Sequence, residues 1–409
     1  MRIESLLDDC TEMAYIHLER KVNDVFFSDV KECYQPHGRF EHFFLPFLLK
    51  SESEIEVLNA NPNASLLNGI SQKKQFKFFI HPEMIDLYQK EGVNIEEQGK
   101  IPVSPTSSTR TVLTRYQNYN FMIKLDLAKK IGDNKRNIKR KHVEFSNKIC
   151  KELESTKHLP FIAYLPETVG MLCKIGNNEI GLIFREFQPR PIINENRYLI
   201  PFFSLFSIDR DNPDEKLLLQ QIIEKNCTSP KESLNFCIEQ ILRPYLDTWC
   251  YFAVKRGLIF ELHPQNTLLE VDDNAIPRRI VFRDFQDFFI EPDLRIENGL
   301  DLNFDRNILG KSTKNYLINE RIITDSNKCK KISCSLTYDY RVSRTLDLFS
   351  EALERYSICN PDKFAPIVKD ILKKNLGQSD IFPEMAYFPI PNQSVDEEIR
   401  FKEIKPKYR

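Results

Sequence analysis

The sequence contains no Cys-x-x-Cys pair, although cysteine occurs at positions 10, 33, 150, 173, 227, 237, 250, 329, 334 and 359. A zinc knuckle and a redox dithiol both need closely spaced thiols, so neither is indicated. Cys329 and Cys334 come nearest to one another, with four residues between them. Scattered free thiols fit a reducing cytosol. Neither sign of charge is in surplus: 58 Lys and Arg face 59 Asp and Glu, for a formal net charge of −1. A general nucleic-acid binder would carry a basic excess, so nucleic acid is not an expected partner. Long apolar runs are missing too. The greasiest stretch, Phe43–Leu49, contains Pro46 and falls far short of the ~20 residues that span a bilayer. The start, Met1-Arg-Ile-Glu-Ser-Leu-Leu-Asp-Asp, is acidic and lacks the apolar core of a signal peptide. No internal repeat and no low-complexity tract occurs. The expectation is a cytoplasmic protein with no membrane segment.

What remains is ordinary globular material: 409 residues, 41% hydrophobic, enough for two or three domains with real cores. The pattern divides into an N-terminal region, 1–157, and a second region, 158–409. Residues 3–33 read as helical from apolar positions at mixed three- and four-residue spacing. Phe40–Leu49 reads as a buried strand or short helix, and Ser51–Lys74 as loop. Phe76–Ile80 is a strand that delivers His81-Pro82. A histidine at a strand end is more often structural than functional.

Pro102–Val112 holds four consecutive hydroxyl residues, Thr106-Ser-Ser-Thr109, followed by Arg110. Hydroxyls and free N–H groups in a loop can cradle phosphate oxygens, and a guanidinium can fork two of them. Ser/Thr-rich loops are common, so the pattern alone is weak. A strand follows at 121–127, in which Lys124 alternates with apolar neighbours and either snorkels to water or enters an anion site. Lys129–Lys148 reads as a very basic helix, most of whose charges are a solvated face.

In the second region, Met171–Lys174 and Glu179–Glu186 read as paired strands around a Gly-Asn-Asn turn. Pro189–Pro201 is a proline-rich connection. Helices are expected at 214–225 and 231–256, the second starting at Ser229-Pro230 and kinked or divided at Pro244. Gly257 should stop it. The chain is then organised around Leu258–Glu270 and Ile280–Gln286. Strands at 268–271 and 279–282 flank the turn Asp272–Pro277, a hairpin signal. Glu261, His263, Gln265 and Asn266 precede it, and Arg283 and Asp284 come after it. An amide oxygen and a carboxylate suit Mg²⁺, a hard cation that shares its sites with phosphate. The imidazole and guanidinium beside them suit an anion. Taken singly these residues fit turn and strand-end roles. Together, on an apolar hairpin where burial without partners is costly, they point to nucleotide phosphate and metal. The order hairpin, helices, polar loop, hairpin, helices is that of a protein-kinase-like palm. After Ile290 the chain reads as mainly helical at 308–319, 342–356 and 362–375. Lys328–Lys331 and the tail Ile399–Arg409 read as basic and exposed.

Ser107-Ser-Thr-Arg-Thr111, Lys124 on the next strand, Glu261-Leu-His-Pro-Gln-Asn266 and Arg283-Asp-Phe-Gln286 occur in that order, with His81-Pro82 ahead of them. This set resembles the NRPS-independent siderophore synthetases of the aerobactin-synthetase type. The motifs cover roughly 40–290. Members are typically longer at the N-terminus, so the chain reads as a shortened form. Pro264 and Asp287 stand where the family commonly has glycine, and Asp126 is an additional acid beside Lys124.

The resemblance implies an α+β fold: a cupped, multi-lobed synthetase with a kinase-like palm and a helical C-terminal part. It implies ATP-dependent chemistry with Mg²⁺, in which a carboxylate, citrate or a citrate derivative, attacks the α-phosphate. Pyrophosphate leaves, and an amine or hydroxyl then takes the acyl group as amide or ester. By position, Ser108, Arg110 and Thr111 would bind ATP phosphates, with Lys124 beside them. Arg136, expected on the following helix, and His263 would neutralise charge at the α-phosphate and the substrate carboxylate. Gln265 and Asn266 would hold nucleotide, and Asn266 with Asp284 would hold Mg²⁺. Glu261 and Glu270 are lesser candidates. Members of the family often dimerise. Two other readings stay open: a small-molecule kinase, and a catalytically inactive relative.

Overall fold

The computed structural model describes all residues except 9–11, 24–28, 91, 93–94, 115–119, 132–133, 158, 310–314 and 391–397. The chain forms two compact units. The first comprises Met1–Leu218, Glu270–Asn274 and Val281–Gln286, and the second comprises Leu219–Leu269, Ala275–Ile280 and Asp287–Arg409. The chain thus passes from one to the other several times, partly within the hairpin of Thr267–Val271 and Pro277–Phe282.

The first unit is built on a nine-stranded antiparallel sheet. Its order is Ile55–Asn59, Val169–Ile175, Asn178–Glu186, Phe121–Lys124, Thr111–Thr114, Gly99–Pro105, Phe43–Lys50, Gln75–Phe79 and Ser71–Gln72. Side chains alternate between the two faces of a strand. One face therefore carries Leu45, Phe79, Val103, Val112, Ile123, Met171 and Phe184, all in one large core. The other carries Leu172 and Ile183, which pack with Ile138 and Val143. Val143 belongs to the helix Arg140–Ser155. That helix lies so close that a Cβ on Gly170 would stand 2.2 Å from Val143 Cγ1. Beyond the helix the same face turns polar, and the candidate site lies there.

Four expectations in this unit need correction. Residues 51–74 are not one loop but include the strand Ile55–Asn59 and the helix Ala64–Ile70, capped by Asn63, whose side chain accepts from Leu66 N at 2.7 Å. The basic stretch is not one helix from Lys129. Leu127–Ile131 and Asn134–Arg136 pair as an antiparallel ribbon, and the helix begins at Arg140. With only Ile131 and Ile138 apolar between Lys129 and Lys141, that stretch offered no clear apolar period to read. The N-terminal helix is two helices, Ile3–Asp8 and Glu12–Lys21, with a single 3-10 turn at Glu32–Tyr34. The proline-rich connection ends in a strand, Tyr198–Pro201.

The second unit is largely helical. Pro230–Cys237 starts where expected, with Ser229 Oγ accepting from Glu232 N. Pro244 does not divide the helix. The helix runs on through wide π turns at Ile238–Leu242 and Tyr251–Lys255 on either side of Arg243–Cys250. A wide turn accommodates the backbone where proline removes a donor and crowds the preceding turn. Gly257 ends the helix at φ +55, and a Cβ there would meet Arg295 Cγ at 2.5 Å and Glu291 O at 2.7 Å. Trp249 is fully buried and stacks on Phe382 at 5.7 Å between centroids.

The C-terminal part is helical at Ser326–Ser335, Ser343–Arg355 and Pro361–Leu376. It also holds a small sheet, ordered Arg321–Ile323, Asn315–Ile318, Glu398–Ile404, Ala386–Pro389. The helix expected over 308–319 is therefore wrong at its C-terminal end, and residues 310–314 lie outside the described set. The tail is not simply exposed either. Phe401 and Tyr408 are buried, and Arg409 Nε donates to Asp339 Oδ1 at 3.0 Å. The fold class is α+β.

Candidate functional site

In the first unit the hydroxyl-rich loop joins Gly99–Pro105 to Thr111–Thr114. It is stapled internally. Thr106 N and Oγ1 both donate to Thr111 O, at 3.0 and 2.8 Å, and Thr111 N donates to Ser108 Oγ at 3.0 Å. Thr106 Oγ1 gives its own proton to Thr111 O, so at 3.4 Å it can accept from the Ser108 hydroxyl. Thr109 sits at φ +65. For a β-branched residue that conformation is costly and persists only where the surroundings impose it.

Strand register places Thr111 opposite Lys124 and Lys124 opposite Ile183. Lys124 is almost wholly buried, and its Nζ lies 2.5 Å from Asp284 Oδ1. Asp284 is itself at φ +75, the second strained residue of the site. Burial alone would raise its carboxyl. The cations Lys124, Arg185 and Arg110 outweigh that and hold it well below the usual carboxylate range. Arg110 is fixed by Nη1 donating to Arg136 O at 2.8 Å, and its Nη2 reaches 3.5 Å from Gln286 Oε1. The structure therefore brings Ser108, Arg110, Thr111, Lys124 and Asp284 into one cluster. Arg136 joins it through its carbonyl, from the end of a strand rather than from a helix. Glu270 is buried in its strand.

Asp126 accepts from Ile138 N at 2.5 Å, which ties down the segment after Arg136. Burial raises its carboxyl to about 6, against the lowering effect of Ile138 N–H, Asn137 and Arg110.

Arg283 is paired within the protein. Its Nη1 donates to Glu19 Oε1 at 2.5 Å and to Tyr15 Oη at 2.6 Å, all three side chains being buried. Glu19 Oε2 accepts from Ser107 N at 3.0 Å. One carboxylate thus holds both the hydroxyl-rich loop and the residue before Asp284. Nothing in the N-terminal sequence marked Glu19, because a glutamate on a helix is ordinarily solvated. Arg185 was equally hidden, as the penultimate residue of a strand. His81 is buried against the rings of Tyr34 and Phe43, and burial with nearby Lys31 holds its imidazole down at about 3.

In the second unit, Glu261–Asn266 folds around His263. Asn266 N and Thr267 Oγ1 donate to His263 O at 2.9 and 3.1 Å, and Gln265 N donates to His263 Nδ1 at 3.2 Å. That bond leaves Nε2 as the nitrogen that carries the proton in the neutral ring. Nε2 is 3.9 Å from Glu261 Oε2, and Glu261 Oε1 is 3.3 Å from Arg341 Nε. From below, Trp249 Nε1 donates to Phe260 O at 3.2 Å, and Tyr245 Oη donates to Leu262 O. The backbone is thereby fixed on both sides of Glu261. Asn266 is buried.

Among the described residues, His17, Asp209 and Asp211 are near enough to share a metal ion. Asp209 is already taken up by Asp211 N and Asn212 Nδ2, at 3.0 and 3.1 Å. Among the described residues no helix is long and apolar enough to cross a membrane.

A family model described as FhuF, ferric iron reductase FhuF-like transporter, matches residues 238–385. No curated protein matches the sequence. Solved structures do match in fold. Petrobactin biosynthesis protein AsbB from Bacillus anthracis str. Sterne aligns at TM-score 0.66 and 16% identity, over 96% of this chain and 75% of that one. Aerobactin synthetase IucC from Klebsiella pneumoniae aligns at 0.60 and 12% identity, over 90% and 69%. ATP-bound aerobactin synthetase IucA from the same organism aligns at 0.57 and 16% identity, over 91% and 72%. The likeness runs through nearly the whole chain, and the fold is that of the NRPS-independent siderophore synthetases.

Proposed function

We propose that the protein is an ATP-dependent siderophore synthetase. It adenylates a carboxylate, citrate or a citrate derivative, and condenses the product with an amine or hydroxyl. The observation that carries this reading is the Lys124–Asp284 pair beside the Ser108–Thr111 loop, within a fold shared with siderophore synthetases. One of the fold neighbours is described as ATP-bound.

A carboxylate oxygen attacks the α-phosphorus, the bond to the β-phosphate oxygen breaks, and pyrophosphate leaves. Negative charge accumulates at one phosphorus, where fixed cations in a water-poor site lower the barrier most. Ser108, Thr111 and Arg110 bind phosphate oxygens, and Lys124 offers its ammonium beside them. Arg136 and His263 neutralise charge at the α-phosphate and the carboxylate. Gln265 and Asn266 hold nucleotide. Asp284 and Asn266 would hold Mg²⁺, which would screen the phosphate charge. Residues 1–157 supply the phosphate loop in this scheme, and 158–409 supply the His263–Asn266 loop.

The test is product analysis across a panel of carboxylates and polyamines. AMP and pyrophosphate support the synthetase. ADP without pyrophosphate would make the protein a kinase instead.

A further inference from the structure

We infer that Arg185 is a direct binding residue for an anionic oxygen of the reacting pair, completing with Arg110 and Lys124 a cationic floor around Asp284. The assignment rests on the adenylation reading and adds a residue to it.

Register supplies the first ground. Arg185 lies opposite Met122, and Ile183, two residues earlier, lies opposite Lys124. Residues two apart on a strand share a face. Arg185 therefore stands on the face that carries Lys124 and Thr111, diagonal to Lys124. The second ground is burial. The Arg185 side chain is 5% exposed, so it is no solvated strand-end charge.

The third ground is how the guanidinium is held. Nη2 lies 2.5 Å from Glu167 Oε1. The other oxygen of Glu167 accepts from the Ser146 hydroxyl on the helix Arg140–Ser155. The planar fork is thus anchored at one end and pre-organised. At the other, the buried Nε has no hydrogen-bond partner among the described residues. A buried donor left unmade is expensive, and few survive without a reason. A guanidinium has five donors in a fixed plane suited to phosphate or carboxylate oxygens.

A purely structural role would make Arg185 and Glu167 an ion pair that ties the helix to the sheet. The double substitution Arg185→Met with Glu167→Gln separates the two roles. Replacing both partners of a buried pair with groups of similar volume is often neutral for folding. The readouts are the melting temperature and ATP–pyrophosphate exchange, with KM resolved for Mg·ATP and for the carboxylate. The expected result is a folded protein whose exchange falls roughly 100-fold, as when one oxyanion donor is removed. A rise confined to the KM for Mg·ATP assigns the contact to phosphate, and a rise confined to the other KM assigns it to the carboxylate.

Arg185→Lys is the second variant, since it keeps a cation opposite Glu167 but lacks Nε. It should also lose exchange. Wild-type exchange in a folded double variant, or in Arg185→Lys, overturns the assignment while the adenylation reading stands. Absence of exchange in the unsubstituted protein overturns the adenylation reading and this assignment with it.

Discussion

Lys124 Nζ and Asp284 Oδ1 lie 2.5 Å apart, and 160 residues of chain separate them. The ammonium is nearly inaccessible, and the aspartate holds a backbone conformation that non-glycine residues avoid. An ion pair at such backbone strain is better explained by chemistry than by stability. Asp284→Asn and Lys124→Met are each expected to cut exchange by ~100-fold or more. Mg·ATP is expected to raise the melting temperature of the unsubstituted protein, and the same variants should lose that rise. Retention of that rise would remove the substituted residue from the nucleotide site.

Glu19 joins Arg283 to Ser107 N, so its loss should be felt in stability first. Glu19→Gln leaves a buried guanidinium without its counter-charge and should cost about 3–5 kcal/mol. Denaturant unfolding measures it. Burial would raise the Glu19 carboxyl, but Arg283, Ser107 and Tyr15 hold it below its ordinary value. Its contribution is therefore present above the unfolded carboxylate pKa and is lost as the pH falls through the depressed folded value. A variant as stable as the parent at pH 7 would contradict the clamp.

Asp126 behaves in the opposite sense. Its folded pKa, about 6, lies above that of an unfolded aspartate. The stabilising term is fully present below the unfolded pKa and is lost as the pH rises through 6. The stability of the parent relative to Asp126→Asn should therefore grow as the pH falls from 7 to 4, by on the order of 2 kcal/mol. A difference independent of pH would show that the carboxyl stays solvated.

Gly257 closes the long helix at positive φ, with backbone and Arg295 where a Cβ would go. Gly257→Ala should destabilise by more than ~1 kcal/mol. An unchanged unfolding midpoint would mean that the turn relaxes freely.

The parts of the fold that were legible in the sequence are those with a local period or a local stop. Thr267–Val271 and Pro277–Phe282 are short, mostly buried runs on either side of a polar turn, and Ser229 and Gly257 punctuate the helix ahead of them. What escaped was non-local. Asn315–Ile318 pairs in parallel with Glu398–Ile404, and neither segment signals the other. Ile55–Asn59 is a short edge strand with polar positions, which reads as loop. The Lys/Arg run after Leu127 has no apolar rhythm, so its ribbon could not be told from a helix. In the candidate site, the hydroxyl-rich loop, Lys124 and Asp284 were marked by residue type. Glu19 and Arg185 were not, since only tertiary burial turns an everyday glutamate or arginine into a fixed charge.

The central claim is that the Arg110 loop and the His263 loop both serve ATP-dependent adenylation. Citrate-dependent ATP–pyrophosphate exchange in Arg110→Ala and His263→Ala, each with its melting curve, tests it most directly. The account predicts exchange in the unsubstituted protein and its loss in both variants with the fold intact. Near-normal exchange in either folded variant would contradict it.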